Sequence, residues 1–464
     1  MKTRVLAVLM LFAFPLYSQN RTFVRSYTYA SGIVDNETTS SAIALYNVKH
    51  ELVQDVCAYL RNFAGAGLPV NASLVSRPDS YGLYSILDGV TDPVIIKKHW
   101  SGKKYSVRAS LTVDGGTLDN LISIIESDRD KMQDLETASR EADSAAAAMD
   151  SLRSLITRDH DARNNAGVTE QYATASRVLS ARYWFQKGYA ATVANKVDER
   201  ILCFRKATEL DSSYPEAYRN LGLAYYSGGD TATAISTVKK AITLRPAYSR
   251  AYDDLGFFLA GEDSLDDAIL MYGKAIELDP TDSYGYDDMG FAYFKKGDQE
   301  KAMECHVLAI GVDSSDAYGY AALGFYDVMA DSVEKGIPLL EKAIELQPYN
   351  AFAYDNLGIA YSKLGSMDTA ILYYKKAIGI DPRRPHPYYN LGDAFSKKGN
   401  SDSAIVMYTE AIKLDPKFAI AYYSLGLAYN NTGETAKGID CLNKAALLGY
   451  KQAREWLDQN GYAK

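Results

Sequence analysis

Residues 351–384 (AFAYDNLGIAYSKLGSMDTAILYYKKAIGIDPRR) decide the fold, because 385–418 (PHPYYNLGDAFSKKGNSDSAIVMYTEAIKLDPKF) say the same thing again. The period is 34 residues, and blocks in register begin at Pro215, Ser249, Ser283, Ala317, Ala351, Pro385 and Ala419. One position is always tyrosine, and is expected in the core: Tyr218, Tyr252, Tyr286, Tyr320, Tyr354, Tyr388 and Tyr422. Four residues later stands an invariant glycine, from Gly222 and Gly256 to Gly426. Small residues recur further along, as in Ala234 and Ala241, and Pro246, Pro280, Pro348, Pro382 and Pro416 close most blocks. The spacing predicts two short amphipathic helices per block around a glycine-containing turn (Gly229, Gly297, Gly365, Gly399, Gly433). Helices this short are marginal alone, so each must bury a face against its neighbours. A glycine inside a helix costs about 1 kcal/mol against alanine. Close approach of the paired helix is the offset expected for it, and the repeated alanines serve that contact from the other side.

This pattern resembles the tetratricopeptide repeat over Pro215 to about Tyr450, with a degenerate first unit from Ala181 to Tyr214. That unit keeps Trp184, Gly188, Phe204 and Ala207 but has Arg200 where alanine is expected. The resemblance implies a mostly α protein, an α-α superhelix of about eight repeats over 181–450, with 451–464 as a capping helix. In the fifth unit Asp327 replaces an aromatic residue, and Pro338 inside the second helix predicts a kink.

Upstream the pattern changes. Met1–Gln19 has the form of an export signal, with Lys2 and Arg4 before the apolar run Val5–Leu16 and small Ser18 after it. Residues 20–115 predict a small α+β domain: a strand over Thr22–Ala30, a helix over Ser40–Phe63, a weaker helix over Tyr81–Val90, and a hairpin of Val94–Trp100 and Tyr105–Val113. Its strand, alanine-containing helix and Trp100-x-Gly102-x-x-Tyr105 hairpin resemble the small domain of some bacterial envelope lipoproteins and flagellar-assembly proteins, which implies a location. A long helix is predicted over 116–158, with Leu118, Ile125, Met132 and Ala146 in one heptad seam and Leu121, Leu135, Ala142, Met149 and Ile156 in most of the other, interrupted at Asp128, Ser139 and Arg153. It either forms a homodimer or packs back on its own chain. Residues 159–180 are polar and predict a linker.

The chain carries 50 Lys+Arg against 58 Asp+Glu, a formal net charge of −8, with 47% hydrophobic residues in 464. That composition is globular, and without a basic cluster it excludes nucleic acid as the expected partner and disfavours an anionic membrane surface. The five histidines (His50, His99, His160, His306, His386) show no metal-ligand spacing and are expected in core or solvated positions. No nucleophile elbow, zinc-protease or phosphate-loop motif occurs, and no cofactor, metal or catalytic residue is expected. Cys203, Cys305 and Cys441 fall at one place in the second helix of units one, four and eight, too far apart in a stacked array for a disulfide.

What remains is the inner face of the first helices. Its lining positions, counted from the repeated tyrosine, are two before, one after, five after and eight after. Two before stand Tyr284, Tyr318, Phe352 and His386; five after, Phe257, Phe291 and Phe325; eight after, Phe294. Asp253, Asp287 and Asp355 stand one after, with Asp254 and Asp288 beside them. Two readings follow: the rings fill space between first helices and the carboxylates are solvated, or the strip binds an extended partner segment, apolar and basic. Lysine and asparagine clamps for a C-terminal carboxylate are replaced by Asp and Phe. The expectation is an exported protein-binding scaffold in the periplasm or envelope of a Gram-negative bacterium, not an enzyme and not inserted in the membrane once the signal is removed. The alternative is a carbohydrate-binding module stacking sugars on the groove aromatics.

Overall fold

The computed structural model describes residues 21–31, 35–64, 87, 93–113, 129–158 and 165–462. The expected export signal, the helix expected over Tyr81–Val90 (Leu87 apart), the first part of the expected long helix and residues 159–164 lie outside them. The chain divides into two compact units, 1–258 and 259–464. Among the described residues no helix is long and apolar enough to cross a membrane.

The first unit opens with β1 (Arg21–Ala30), α1 (Glu37–Ala64), β2 (Val94–Trp100) and β3 (Lys104–Val113). Both other strands pair antiparallel with β3, in the order β1-β3-β2, and Gly102 turns the β2–β3 hairpin at φ 79°. Alternation in β3 does what its pattern demands: Tyr105, Val107, Ala109 and Leu111 are buried, facing Val48, Leu52 and Val56 of α1 in one core.

This core does not stop at the small domain. It continues through α2 (Arg129–Arg158) into α3 (Ala166–Val193), α4 (Val197–Leu210) and α5 (Pro215–Ser227). The heptad seam Leu135, Ala142, Met149 and Ile156 is buried, and α2 packs along α3. The long helix therefore packs back on its own chain, and a second copy could use this seam only after it opened. The expected linker is corrected as well: Ala166–Val193 is one helix of 28 residues whose N-terminal part carries buried Tyr172 and Leu179. Its polar residues misled the reading because they form only the outer face.

The unit ends with α6 (Thr231–Leu244) and the start of α7 (Ser249–Gly261). The second unit continues as α8 (Leu265–Leu278), α9 (Ser283–Lys296), α10 (Gln299–Val312), α11 (Ala317–Met329), α12 (Val333–Leu346), α13 (Ala351–Lys363), α14 (Met367–Ile380), α15 (Pro385–Lys397), α16 (Ser401–Leu414), α17 (Ala419–Asn431), α18 (Thr435–Leu447) and α19 (Lys451–Gln459). The fold is mostly α, a solenoid of helical hairpins preceded by a small sheet. The last helix covers the array's end, burying Ala453 and Leu457 under a polar face. Helix α12 runs unbroken through Pro338.

Side-chain caps start many helices, as Asp298 accepts from the Lys301 amide and Asn350 from that of Ala353. The turns inside hairpins need a left-handed residue. Glycine supplies it at Gly229, Gly297, Gly365, Gly399 and Gly433, and the hairpins lacking glycine use Asn195, Asp263 and Asp331 at φ 53–61°. Two repeats are tied to the one before by a lysine nine residues after the tyrosine: Lys295 donates to the Ala260 carbonyl (3.2 Å) and Lys363 to that of Val328 (2.8 Å). Each cation thereby satisfies a carbonyl at the C-terminal end of the preceding first helix. Arg200 does similar work in the degenerate unit, donating to the Leu223 carbonyl and the Ser227 hydroxyl, which explains its place at an alanine position.

The helical glycines sit where a neighbour leaves no room. A Cβ on Gly324 would lie 2.7 Å from Leu340 Cγ and 3.0 Å from the Gly336 carbonyl oxygen. The repeated tyrosines, expected in the core, are half-buried; the fully packed position is the small residue before each, such as Ala217, Ala251 and Ala353. Gly324→Ala is expected to destabilise the second unit by about 1–3 kcal/mol through overpacking. Gly273→Ala, in α8 with open space around it, is expected to stabilise by up to about 1 kcal/mol. Urea denaturation of the two variants checks the pair, and two shifts of the same sign would contradict the packing argument.

Candidate functional site

In the first unit the inner-face positions are already in use. Arg182, Phe185 and Tyr189 of α3 are buried beside α2, with Arg182 bonded to Glu141 and Asp211, each at 2.7 Å. The centre of this contact is Asp134 of α2, 3% exposed. It accepts from Tyr189 Oη (2.8 Å), Asn220 Nδ2 (3.2 Å), Arg219 Nη1 (3.3 Å) and Arg250 Nη1 (3.3 Å). Arg219, one residue after the repeated tyrosine, is also paired with Asp254. Burial opposes its charge, but Asp254, Tyr248 and Asp134 hold its pKa well above the ordinary value. So the positions named as groove lining do hold a segment: the chain's own helix, read by charge. Asp253 is half-buried, and Phe257 is exposed with its ring 5.2 Å from that of Tyr226.

In the second unit the same positions carry aromatics. Tyr284, Phe291, Phe294 and Tyr318 are exposed, Tyr284 by 59%, and Phe325 and Phe352 are half-buried. The rings form a run: Phe294 meets Phe325 at 5.6 Å, Phe325 meets Phe352 at 5.7 Å, and the Arg384 guanidinium stands 5.7 Å from the Phe352 ring. Both sequence readings hold in part, since these rings touch one another and several still face solvent.

The carboxylates behave differently from either expectation. Asp287 and Asp355 are buried, 2% and 5% exposed, rather than solvated at the rim. Asp287 Oδ1 lies 2.7 Å from His306 Nδ1, and His306 Nε2 lies 3.2 Å from the Tyr326 hydroxyl. Burial, reinforced by Asp316 and Asp288, pushes Asp287 up to about 10, and burial alone lowers His306 to about 4. Both groups are then uncharged, with Asp287 donating to His306 and His306 Nε2–H donating to Tyr326. Asp287 Oδ2 is buried with no donor, and the Asp316 carboxyl shares a side-chain hydrogen bond with Asp287. Asp355 is raised to about 6 by burial, opposed by the Asn390 amide (2.9 Å to Oδ1) and by Arg384. Sequence reasoning passed over His306, Tyr326, Arg384 and Asn390. The available signal was His306 itself, the one imidazole at a position that is Val238, Leu340, Tyr374, Tyr408 or Leu442 in other repeats. Among the described residues no disulfide joins Cys203, Cys305 and Cys441 to one another.

Family profiles described as TPR repeat match residues 188–229, 363–399 and 392–433. Profiles described as tetratricopeptide repeat match 271–304 and 339–371, and 215–248 and 419–448. The hairpins within those ranges match the tetratricopeptide repeat. Among solved structures, a chain of the APC/C hetero-tetramer Cut9-Hcn1 is similar at 14% identity and TM-score 0.49, covering 73% of this chain and 76% of that one. MamA is similar at 30% identity and TM-score 0.30, over 36% of this chain and 97% of its own. A tetratricopeptide repeat protein from Parabacteroides merdae ATCC 43184 is similar at 17% identity and TM-score 0.43, over 53% and 98%. No curated protein matches the chain. A tetratricopeptide array is a scaffold suited to protein–protein contact.

The two buried acids fix a pH dependence. A carboxyl whose folded pKa is raised contributes stability that is complete below its unfolded value near 4 and is lost as pH rises through the folded value. For Asp355 that window runs from about pH 4 to about 6, and for Asp287 it extends towards about 10. Asp355→Asn is therefore expected to stabilise the second unit by about 1–3 kcal/mol at pH 8 and hardly at all at pH 4. Thermal denaturation at the two pH values reads this out, and an equal effect at both would refute the burial of an ionising group. In the first unit, Asp134→Ala should cost about 3–5 kcal/mol by stripping buried cations of their partner. Hydrogen exchange along α2 would rise with it.

Proposed function

We propose that this chain is an exported, non-catalytic scaffold that binds a protein partner in the cell envelope, along the inner face of its second unit. One observation carries the reading. Two register positions that in the first unit grip α2, Arg250 two before the repeated tyrosine and Tyr189 five after the matching Trp184, carry exposed Tyr284, Tyr318 and Phe291 in the second, with exposed Phe294 on the next turn. The same geometry that buries a helix against one set of repeats offers apolar area on the other. The acids set among those rings favour a segment that is apolar and basic. The export signal at Met1–Gln19 and the likeness of the small domain to envelope proteins support the location, a Gram-negative periplasm or envelope. The sugar-stacking alternative gains nothing from the geometry, because Phe294, Phe325 and Phe352 spend their contacts on one another.

The test uses a photo-crosslinking residue placed at Phe291 and, as a control, at Leu372, an exposed leucine on the second helix of its hairpin. In the native envelope the residue at 291 should capture a discrete partner that the one at 372 does not, and the Phe294→Ala background should weaken that capture. Equal capture from both sites would refute the groove. Mass spectrometry of the chain's N-terminus tests export, with loss of about the first 19 residues expected and an intact Met1 contradicting it.

A further inference from the structure

One pair of side chains in the second unit answers no need of the repeat. Asp287 and His306 face each other in the hairpin of α9 and α10, and one repeat later the same two places are Ala321 and Leu340. The hairpin thus closes with an apolar pair, and a buried carboxyl and imidazole in their stead carry a desolvation cost. A second comparison shows what is missing. At this register an inner-face residue meets the side chain 35 positions on: Arg219 meets Asp254, and Asp355 accepts from Asn390. For Asp287 the residue 35 positions on is Ala322, which brings no donor; Asp287 Oδ2 is buried with no donor, and the side chain that reaches Asp287 instead is the Asp316 carboxyl, which shares a hydrogen bond with it. Beside it, exposed Tyr318 packs its ring 5.9 Å from that of His306. Asp316, capping the Tyr318 and Gly319 amides, and Asp288 add negative charge.

We propose that Asp287 is a subsite for one basic side chain, an alkylammonium or guanidinium, of the segment bound in the groove, with Tyr318 as its movable cover. The inference rests on the groove reading and adds to it the chemistry of one contact. It mirrors the first unit with the sign reversed, where Arg219 at the same register takes the carboxylate of Asp134. On binding, the Oδ–H bond of Asp287 breaks, its proton passes to solvent, and the carboxylate pairs with the incoming cation. The groups facing it are Asp288 on its own helix, His306 and Cys305 of α10, and Asp316, Tyr318 and Tyr326 at and within α11; among the described residues no charged side chain of α8 enters its environment. Because a proton is released, affinity rises with pH by up to about tenfold per unit.

The experiment selects random dodecapeptides displayed on phage against the full chain, then measures synthetic copies by calorimetry. Selected peptides are expected to carry a Lys or Arg beside aromatic or aliphatic residues and to bind more tightly at pH 8 than at pH 6. Asp287→Asn should weaken them at least tenfold, as should the double variant Asp287→Ala with His306→Leu, which copies the Ala321–Leu340 pair and so keeps the fold. Replacing the peptide's basic residue by norleucine should cost wild type tenfold and the variants nothing. Peptides with no basic residue, or equal binding to both variants, would overturn the subsite while a loss in Phe291→Ala with Phe294→Ala kept the groove. Peptides indifferent to those two phenylalanines, or no selected peptide, would overturn the groove itself.

Discussion

Everything in the array hangs on the space a missing Cβ leaves between two helices. At Gly222, Gly290, Gly324, Gly358, Gly392 and Gly426 the side chain sixteen residues later fills that space, whether it is valine, histidine, leucine or tyrosine. The helix gives up about 1 kcal/mol of propensity at each such glycine. It gains a close-packed crossing whose overpacking would cost as much or more. Once the hairpin crossing is set this tightly, the outward directions of the first helix are set too, and the inner-face positions repeat in register from block to block. The groove is a by-product of the packing rule.

That regularity makes the differences between repeats informative. In the first unit the inner face is charged and occupied: Arg219 and Arg250 converge on Asp134, and the small sheet, α1 and α2 share one core with the first hairpins. In the second unit it is aromatic and open to solvent at Tyr284, Phe291, Phe294 and Tyr318. Buried charges of this kind add little net stability, since desolvation offsets much of their attraction, but they are costly to unpair. Their effect is to specify which segment lies where.

Legibility from sequence followed the range of the physics. The hairpins, their turns and the end cap are local and periodic, so the 34-residue register exposed them, and β3 showed its buried face by alternation. What escaped depended on contacts distant in sequence. The polar stretch 166–180 looked like a linker because its apolar face meets α1, β1 and α2, none of them adjacent. The repeated tyrosines looked like core because their constancy is plain, whereas the small residues before them, which are the buried ones, vary among Ala, Gly and Pro. Asp287 and Asp355 looked solvated because a lone carboxylate usually is; only the coordinates bring His306 and Asn390 to them. The groove aromatics were found by register alone, whereas Arg384 lies in a loop that no helical periodicity describes.

The docking of α2 on the first repeats also bears on stoichiometry. A helix tethered to the array it lies on competes at an effective concentration that no free ligand of ordinary affinity matches. The N-terminal repeats are in this sense presaturated, and their inner face is withdrawn from exchange with the surroundings. Valency is thereby limited, because a segment from outside finds that inner face already taken.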